Sequence, residues 1–268
     1  MVSIDEQRCM NCGSCVRACP MGVLGKGESA AQVLPRRRCI SCGHCVAACP
    51  KYAITLDGFA GEAACIQVPS EPIEKLILQR RSVRHFQEKL PPRETLQWAL
   101  DQAEYAPSGK NFHLNSWTVL WGRDVTEGML FRVLDWCDAH GEAPELRKLY
   151  NKGTDLVTCG APCMLVAWSP DDCLNPVVDS AVAMTTVELL LQSRGLSTCW
   201  GGYLIQVLHA APELRPQLGI PEGHNARCAL MIGYAERERY LHIPVRPSAK
   251  ALWLEEFPAQ DGQAETDR

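Results

Sequence analysis

Long apolar runs are missing from this 268-residue chain. The longest uninterrupted one, Cys163 to Trp168, falls well short of the roughly 20 residues that a membrane-spanning helix needs. The opening stretch, Met1 to Cys9, has no apolar centre of the kind an export signal carries, so the sequence reads as cytoplasmic, with no membrane partner. A dominant charge is missing too. The 27 Lys and Arg stand against 31 Asp and Glu, a net of −4, which argues against a nucleic-acid partner held by bulk charge. Glycine signatures for phosphate are absent as well. No G-x-G-x-x-G follows a strand signal and no G-x-x-x-x-G-K-[ST] occurs, so neither a Rossmann domain nor a P-loop is supported. A hydrophobic fraction of 46% excludes wholesale disorder.

Cysteine, by contrast, is abundant, at fifteen residues. In a reducing compartment these do not form a disulfide scaffold, so metal or burial must account for them. Eight lie between residues 9 and 49 as two copies of C-x2-C-x2-C-x3-C-P, offset by 30 residues. Three thiolates at i, i+3 and i+6 on a tight loop grip one iron–sulfur cluster. The fourth, carried past a short helix, reaches the other cluster, the crossed ligation of two-cluster ferredoxins. The spacing therefore assigns Cys9, Cys12, Cys15 and Cys49 to one [4Fe-4S] cluster and Cys39, Cys42, Cys45 and Cys19 to a second. Gly13 and Gly43 let backbone amides approach the sulfurs. Pairs of C-x2-C also build zinc ribbons, an alternative that two tandem runs closed by Cys-Pro disfavour. Residues 1 to about 57 resemble a bacterial-type two-cluster ferredoxin. The triplet Arg36-Arg37-Arg38 before Cys39 reads either as a docking face for an acidic electron donor or as a solvated basic turn. Of the other seven cysteines (Cys65, Cys137, Cys159, Cys163, Cys173, Cys199 and Cys228), only Cys159-x3-Cys163 shows any ligand spacing. They read as small buried hydrophobes.

Residues 58–71 are rich in Gly, Ala, Ser and Pro and read as a linker. Beyond it helical and strand patterns alternate, giving an α+β domain over 72–257 with a mixed sheet surrounded by helices. Helices are expected over Pro72–Arg81, Pro92–Tyr105, Asp124–His140 and Val177–Arg194, and strands over Trp117–Trp121, Met164–Trp168 and Arg227–Ala235. The 177–194 helix is apolar over most of its circumference, with Asp179, Glu188 and Gln192 as exceptions. Such a helix is buried on nearly all sides, in a core or a subunit interface. The tail 258–268 is polar and reads as disordered.

Clusters move one electron at a time, and most organic reductions need two; a flavin converts between the regimes. In Gln79-Arg80-Arg81-Ser82-Val83-Arg84-His85-Phe86, Arg80, Ser82 and Arg84 alternate along an extended stretch. Their side chains fall on one side, where two guanidinium groups and a hydroxyl suit a phosphate dianion. A basic surface turn has the same composition. This R-R-S-x-R-x-F run resembles the phosphate-binding signature of the nitroreductase family of FMN flavoproteins. Three further segments match in order. Ala106-Pro107-Ser108-Gly109-Lys110-Asn111 is similar to the family's A-P-S/T-x-x-N turn, whose Asn contacts the flavin. Gly195-Leu196-Ser197-Thr198-Cys199-Trp200-Gly201-Gly202 is similar to the stretch whose backbone amides pass beside the isoalloxazine ring. Arg246 matches a late basic residue that closes on the phosphate. Where the family has x-Gln-Pro after the Asn, this chain has Phe112-His113-Leu114. His113 is thereby a candidate proton donor or a satisfied structural histidine.

The resemblance implies two [4Fe-4S] clusters feeding an FMN that reduces a small electrophile such as a nitroaromatic or quinone. It also implies a homodimer, with both protomers lining each flavin site and no side chain acting as nucleophile. The electron donor would be either a ferredoxin-like protein or NAD(P)H. Two rival readings are an electron-transfer subunit relaying charge through FMN to a partner protein, and an enzyme that modifies the flavin itself.

Overall fold

The computed structural model describes residues 1–57, 72–236, 240 and 242–255. The expected linker at 58–71 and the expected tail at 258–268 lie outside the described residues.

The first 57 residues fold as a duplicated unit. Strand β1 (Val2–Ile4) is followed by α1 (Ser14–Ala18), β2 (Leu24–Lys26), β3 (Ala31–Val33), α2 (His44–Ala48) and β4 (Ile54–Leu56). β1 pairs antiparallel with β4, closing the two ends of the unit, and β2 pairs with β3 as a hairpin. The 30-residue sequence repeat is also a backbone repeat. Left-handed φ values recur at Asn11 (48°) and Ser41 (52°), Gly13 (74°) and Gly43 (75°), and Gly22 (58°) and Tyr52 (52°). Gly13 and Gly43 cap the two short helices in that conformation, which disfavours a residue with a Cβ. Cys19 and Cys49 are the matching C-caps, extended at ψ 107° and 112°. The fourth cysteine of each run thus sits at the end of its helix rather than within it.

The larger unit is a four-stranded sheet between helices. Its elements are α3 (Pro72–Gln79), α4 (Arg93–Ala103), β5 (Ser116–Trp121), α5 (Arg123–His140), α6 (Glu145–Tyr150), β6 (Cys163–Pro170), α7 (Pro176–Ser193), β7 (Ser197–Trp200), α8 (Gly202–Ala210) and β8 (His224–Gly233). The order β5-β6-β8-β7 is antiparallel throughout. The expected mixed character rests on one parallel bridge, Ser82 to Thr198. β6 reads as an unbroken apolar run because both its faces are covered. Met164 and Val166 pack with Met129, Leu134, Leu204 and Leu208 on one side. Cys163, Leu165 and Ala167 pack with Leu96, Ala99, Met184, Val187 and Leu191 on the other.

The Arg80–Gln87 segment completes the sheet edge. Val83 N–H donates to the Thr198 carbonyl (2.9 Å) and Gln87 N–H to that of Tyr234 (2.9 Å), with Phe86 bridged to Ala235. Phe86 is buried and crosses directly over Gly233. A Cβ there would lie 2.8 Å from the Phe86 ring and 3.0 Å from Pro162, so only glycine lets the segment lie this close.

Candidate functional site

Two cavities in the duplicated unit gather the eight repeated cysteines. One is lined by Cys9, Cys12, Cys15 and Cys49. The other is lined by Cys19, Cys39, Cys42 and Cys45. Each cavity gathers three cysteines of one run and the fourth of the other. Backbone amides point at the sulfurs: Val23 N–H lies 3.2 Å from Cys19 Sγ, Ala53 N–H 3.3 Å from Cys49, Ala31 N–H 3.4 Å from Cys9 and Ser41 N–H 3.4 Å from Cys39. Such donors stabilise charge on sulfur. Burial first, and then the neighbouring thiolates, push the Cys15 thiol up to about 11 and the Cys45 thiol up to about 12. A cationic centre bound there would reverse that penalty and hold the sulfurs as thiolates. Among the described residues no three or more His, Cys, Asp or Glu gather closely enough to hold a single metal ion. The sulfurs line the cavity walls instead.

The arginine-rich segment lies against the second cavity. His44, at the start of α2 between Cys42 and Cys45, is buried, and its Nε2 lies 3.3 Å from the Ser82 carbonyl. That carbonyl only accepts, so Nε2 is the donor. Arg84 Nη1 reaches the same oxygen at 3.4 Å. The His44 ring meets Tyr240 edge-on at 5.4 Å, Tyr52 lies over His242 at 4.1 Å, and His242 N–H donates to the Ala47 carbonyl at 3.3 Å.

Arg81 turns back onto α3, donating to the Leu78 and Arg80 carbonyls at 3.0 and 2.6 Å. Burial, then Arg246 and Arg80, push its guanidinium down from the usual range. Its Nε is buried without a hydrogen-bond partner among the described residues. Three guanidinium groups crowding one place, one of them holding an unused donor, fit an anion such as a phosphate. Cys199 lies behind this group. Burial pushes its thiol up, against the opposing influence of Arg84 and of a hydrogen bond with Ser82.

The three polar exceptions on α7 each fasten part of the site. Glu188 is 2% exposed. It accepts from Thr198 Oγ1 (2.9 Å) and Trp200 Nε1 (3.0 Å) and pairs with Arg80 Nη1 at 3.6 Å. Gln192 donates to Thr198 at 3.4 Å. Asp179 Oδ2 accepts the Gly109 N–H at 3.0 Å. Sequence reasoning marked these residues only as interruptions; a carboxylate inside an apolar helix was the available signal.

The Pro107–Asn111 turn has left-handed backbone at Lys110 (52°) and Asn111 (59°). His113 Nε2 lies 2.8 Å from Asn111 Oδ1, and the His113 amide donates to Ser108 Oγ at 3.1 Å. His113 therefore holds Asn111 in place from the position where a Gln was expected. Among the described residues no hydrogen bond or ion pair joins the turn to the arginine segment. Their anchors, Asp179 and Glu188, are nine residues apart on α7, about 13 Å along its axis. One expectation needs correcting: the Gly201 amide is not available to a flavin, because it donates to the Ala229 carbonyl at 2.8 Å. Gly202, in the open first turn of α8, keeps the role proposed for the pair.

Comparison with known proteins adds to this geometry. Residues 77–234 match the model of the nitroreductase family and residues 1–50 that of a 4Fe-4S dicluster domain. A 4-nitrobenzoate reductase from Nocardioides sp. (strain LMS-CY) is 25% identical over 206 residues, covering 63% of this chain and 82% of that protein. The structure is similar to a nitroreductase with bound FMN from Desulfitobacterium hafniense DCB-2, at a TM-score of 0.59 and 25% identity, over 69% of this chain and all of that one. It shares its fold with an FMN-bound nitroreductase from Bacteroides fragilis NCTC 9343, at a TM-score of 0.57 and 21% identity, over 72% of this chain and all of that one.

Proposed function

This chain belongs to the nitroreductase family and is a flavin-dependent oxidoreductase, and from that premise we propose that it passes single electrons through two [4Fe-4S] clusters to FMN for the reduction of a small electrophile such as a nitroaromatic or quinone. The observation that carries the reading is the His44–Ser82 contact, which joins a four-cysteine cavity to the arginine segment through one buried side chain. When bound, the clusters supply one-electron transfer and FMN supplies two-electron chemistry.

The chain's own residues hold and orient. Cys9, Cys12, Cys15 and Cys49, and Cys19, Cys39, Cys42 and Cys45, are the iron ligands. Arg80, Arg81, Ser82, Arg84 and Arg246 neutralise the FMN phosphate, with Glu188 fixing Arg80 and Trp200. Pro107, Ser108, Gly109 and Asn111 serve the flavin ring together with Gly202. With the anchors of that turn and of the arginines about 13 Å apart along α7, the two sets meet across a homodimer. Exposed Ile73, Ile77, Val177, Val178 and Trp253 supply apolar surface for it. His113 acts on Asn111 as a positioning residue. The donor is a ferredoxin-like protein, in keeping with the fused module, with NAD(P)H as the competing assignment.

Anaerobic protein is expected to show flavin bands over a broad iron–sulfur absorbance with about eight irons per chain. Arg80→Ala with Arg84→Ala should lose FMN while keeping that iron. Retention of flavin by the double variant overturns the phosphate site. Flavin reduction by NADPH that outpaces cluster reduction overturns the direction of flow.

A further inference from the structure

The two halves of the cysteine-rich module are near copies, and their differences point in one direction. α1 reads Ser-Cys-Val-Arg-Ala and α2 reads His-Cys-Val-Ala-Ala, so the helices differ only at their first and fourth positions. Residues three apart on a helix share a face. On α2 the larger domain covers that face: His44 lies on Ser82 and Tyr240, and Ala47 is 0% exposed, its carbonyl taken by His242. On α1 the same face is open. Arg17 is exposed, and its Nη1 donates to the Cys12 carbonyl at 3.2 Å.

Cations gather over this open half. A Cβ built on Gly13 would lie 3.3 Å from Arg17 Nη1 and 3.6 Å from Lys26 Nζ, so two positive groups converge above the Cys12–Ser14 ligand loop. Lys51 lines the cavity beside Cys49, Cys12 is exposed, and Met10 beside it is 58% exposed. In the other half, the counterparts of Lys26 and Lys51 are Leu56 and Met21, which carry no charge, and the cations of that half, Arg36, Arg37 and Arg38, lie before Cys39 instead. Residues 1–57 hold seven Lys and Arg against four Asp and Glu, whereas residues 58–268 hold twenty against twenty-seven.

We infer that the module is directional. The cavity of Cys9, Cys12, Cys15 and Cys49 is the entry port, where an acidic one-electron carrier protein docks on Arg17, Lys26 and Lys51 around Met10. The cavity of Cys19, Cys39, Cys42 and Cys45 is the exit toward the arginine segment. This rests on the proposed iron–sulfur route. Each docking oxidises the reduced carrier by one electron and reduces the entry side by one. Two dockings, with protons from solvent, provide the pair of reducing equivalents that the acceptor takes. An apolar contact ringed by positive charge is the arrangement that steers an acidic partner and then seats it.

The test uses the holoprotein and a purified acidic two-cluster ferredoxin as probe. Lys26→Glu with Lys51→Glu, both exposed lysines outside the ligand set, is compared with Arg36→Glu with Arg37→Glu on the exit side, iron content being measured for each. Calorimetric binding of oxidised ferredoxin at low salt should weaken by about tenfold or more in the lysine pair and stay within about twofold in the arginine pair. The neutral pair Lys26→Gln with Lys51→Gln should fall between. Wild-type affinity in the lysine pair, or a loss confined to the arginine pair, overturns the entry port. Ferredoxin that binds the wild type in the expected way but leaves its flavin oxidised when itself reduced overturns the underlying route and not the docking face.

Discussion

Glu188 serves three donors at once, Arg80, Thr198 and Trp200. Removing it leaves those groups without their acceptor at the junction of α7, β7 and the arginine segment. Glu188→Ala is expected to cost about 3 kcal/mol of stability, since breaking a buried charged network strands the remaining partners. Glu188→Gln, which keeps one acceptor oxygen, should cost clearly less. Urea denaturation of the two variants beside the wild type checks the order, and Trp200 emission reports whether its indole loses its partner. Equal losses in both would show that the carboxylate only fills space. The neighbouring arginine also explains how an anion site and a buried acid coexist. Arg80 is 38% exposed, so its free face remains available while Glu188 orients the other.

At the scale of elements, the strongest sequence signals were those in which residue type and spacing both constrain the chain. The Cys-Pro repeat assigns its eight cysteines to two crossed sets of four, and each set lines one cavity. Helices over 123–140 and 176–193 and strands over 116–121 and 163–170 followed from periodicity. α8 and β7 were not read. β7 is four residues long, and α8 starts at a Gly-Gly pair that by composition signals a turn. Its helicity comes from burying Leu204, Val207 and Leu208 against the sheet, a tertiary cause invisible locally. The Gly201 amide was misassigned for a related reason: only strand pairing shows that Ala229 takes it. The short strands of the cysteine-rich unit also depend on their centre, because its core includes Cys15, Cys45 and Cys49. On the two-cluster reading, stripping iron anaerobically with a chelator should therefore expose the β1–β4 and β2–β3 amides to hydrogen exchange while those of β6 and β8 stay protected. Mass spectrometry resolves the two regions, and uniform protection after iron loss would show that the unit folds without its metal.

For the whole molecule, apolar side chains of the larger unit are exposed on α3 and near the end of the described residues. Ile73 and Ile77 are 70% and 56% exposed on successive turns of α3, and Leu252 and Trp253 are 84% and 85% exposed. On the two-protomer reading, Ile77→Asp with Trp253→Asp should shift sedimentation from dimer to monomer and lower flavin occupancy with it, leaving iron unchanged. A monomeric wild type that still retains flavin would refute the shared site. Among the described residues, the contact between the two units includes His44, Tyr52, Ser82, Tyr240 and His242. Polar contacts of this sort hold poorly between separate molecules, but here covalent continuity keeps the partners at high effective concentration. On the iron–sulfur route the inner hand-off within a protomer is therefore unimolecular, whereas the encounters with an outside reductant, with the acceptor and with the second protomer all slow as the protein becomes scarce.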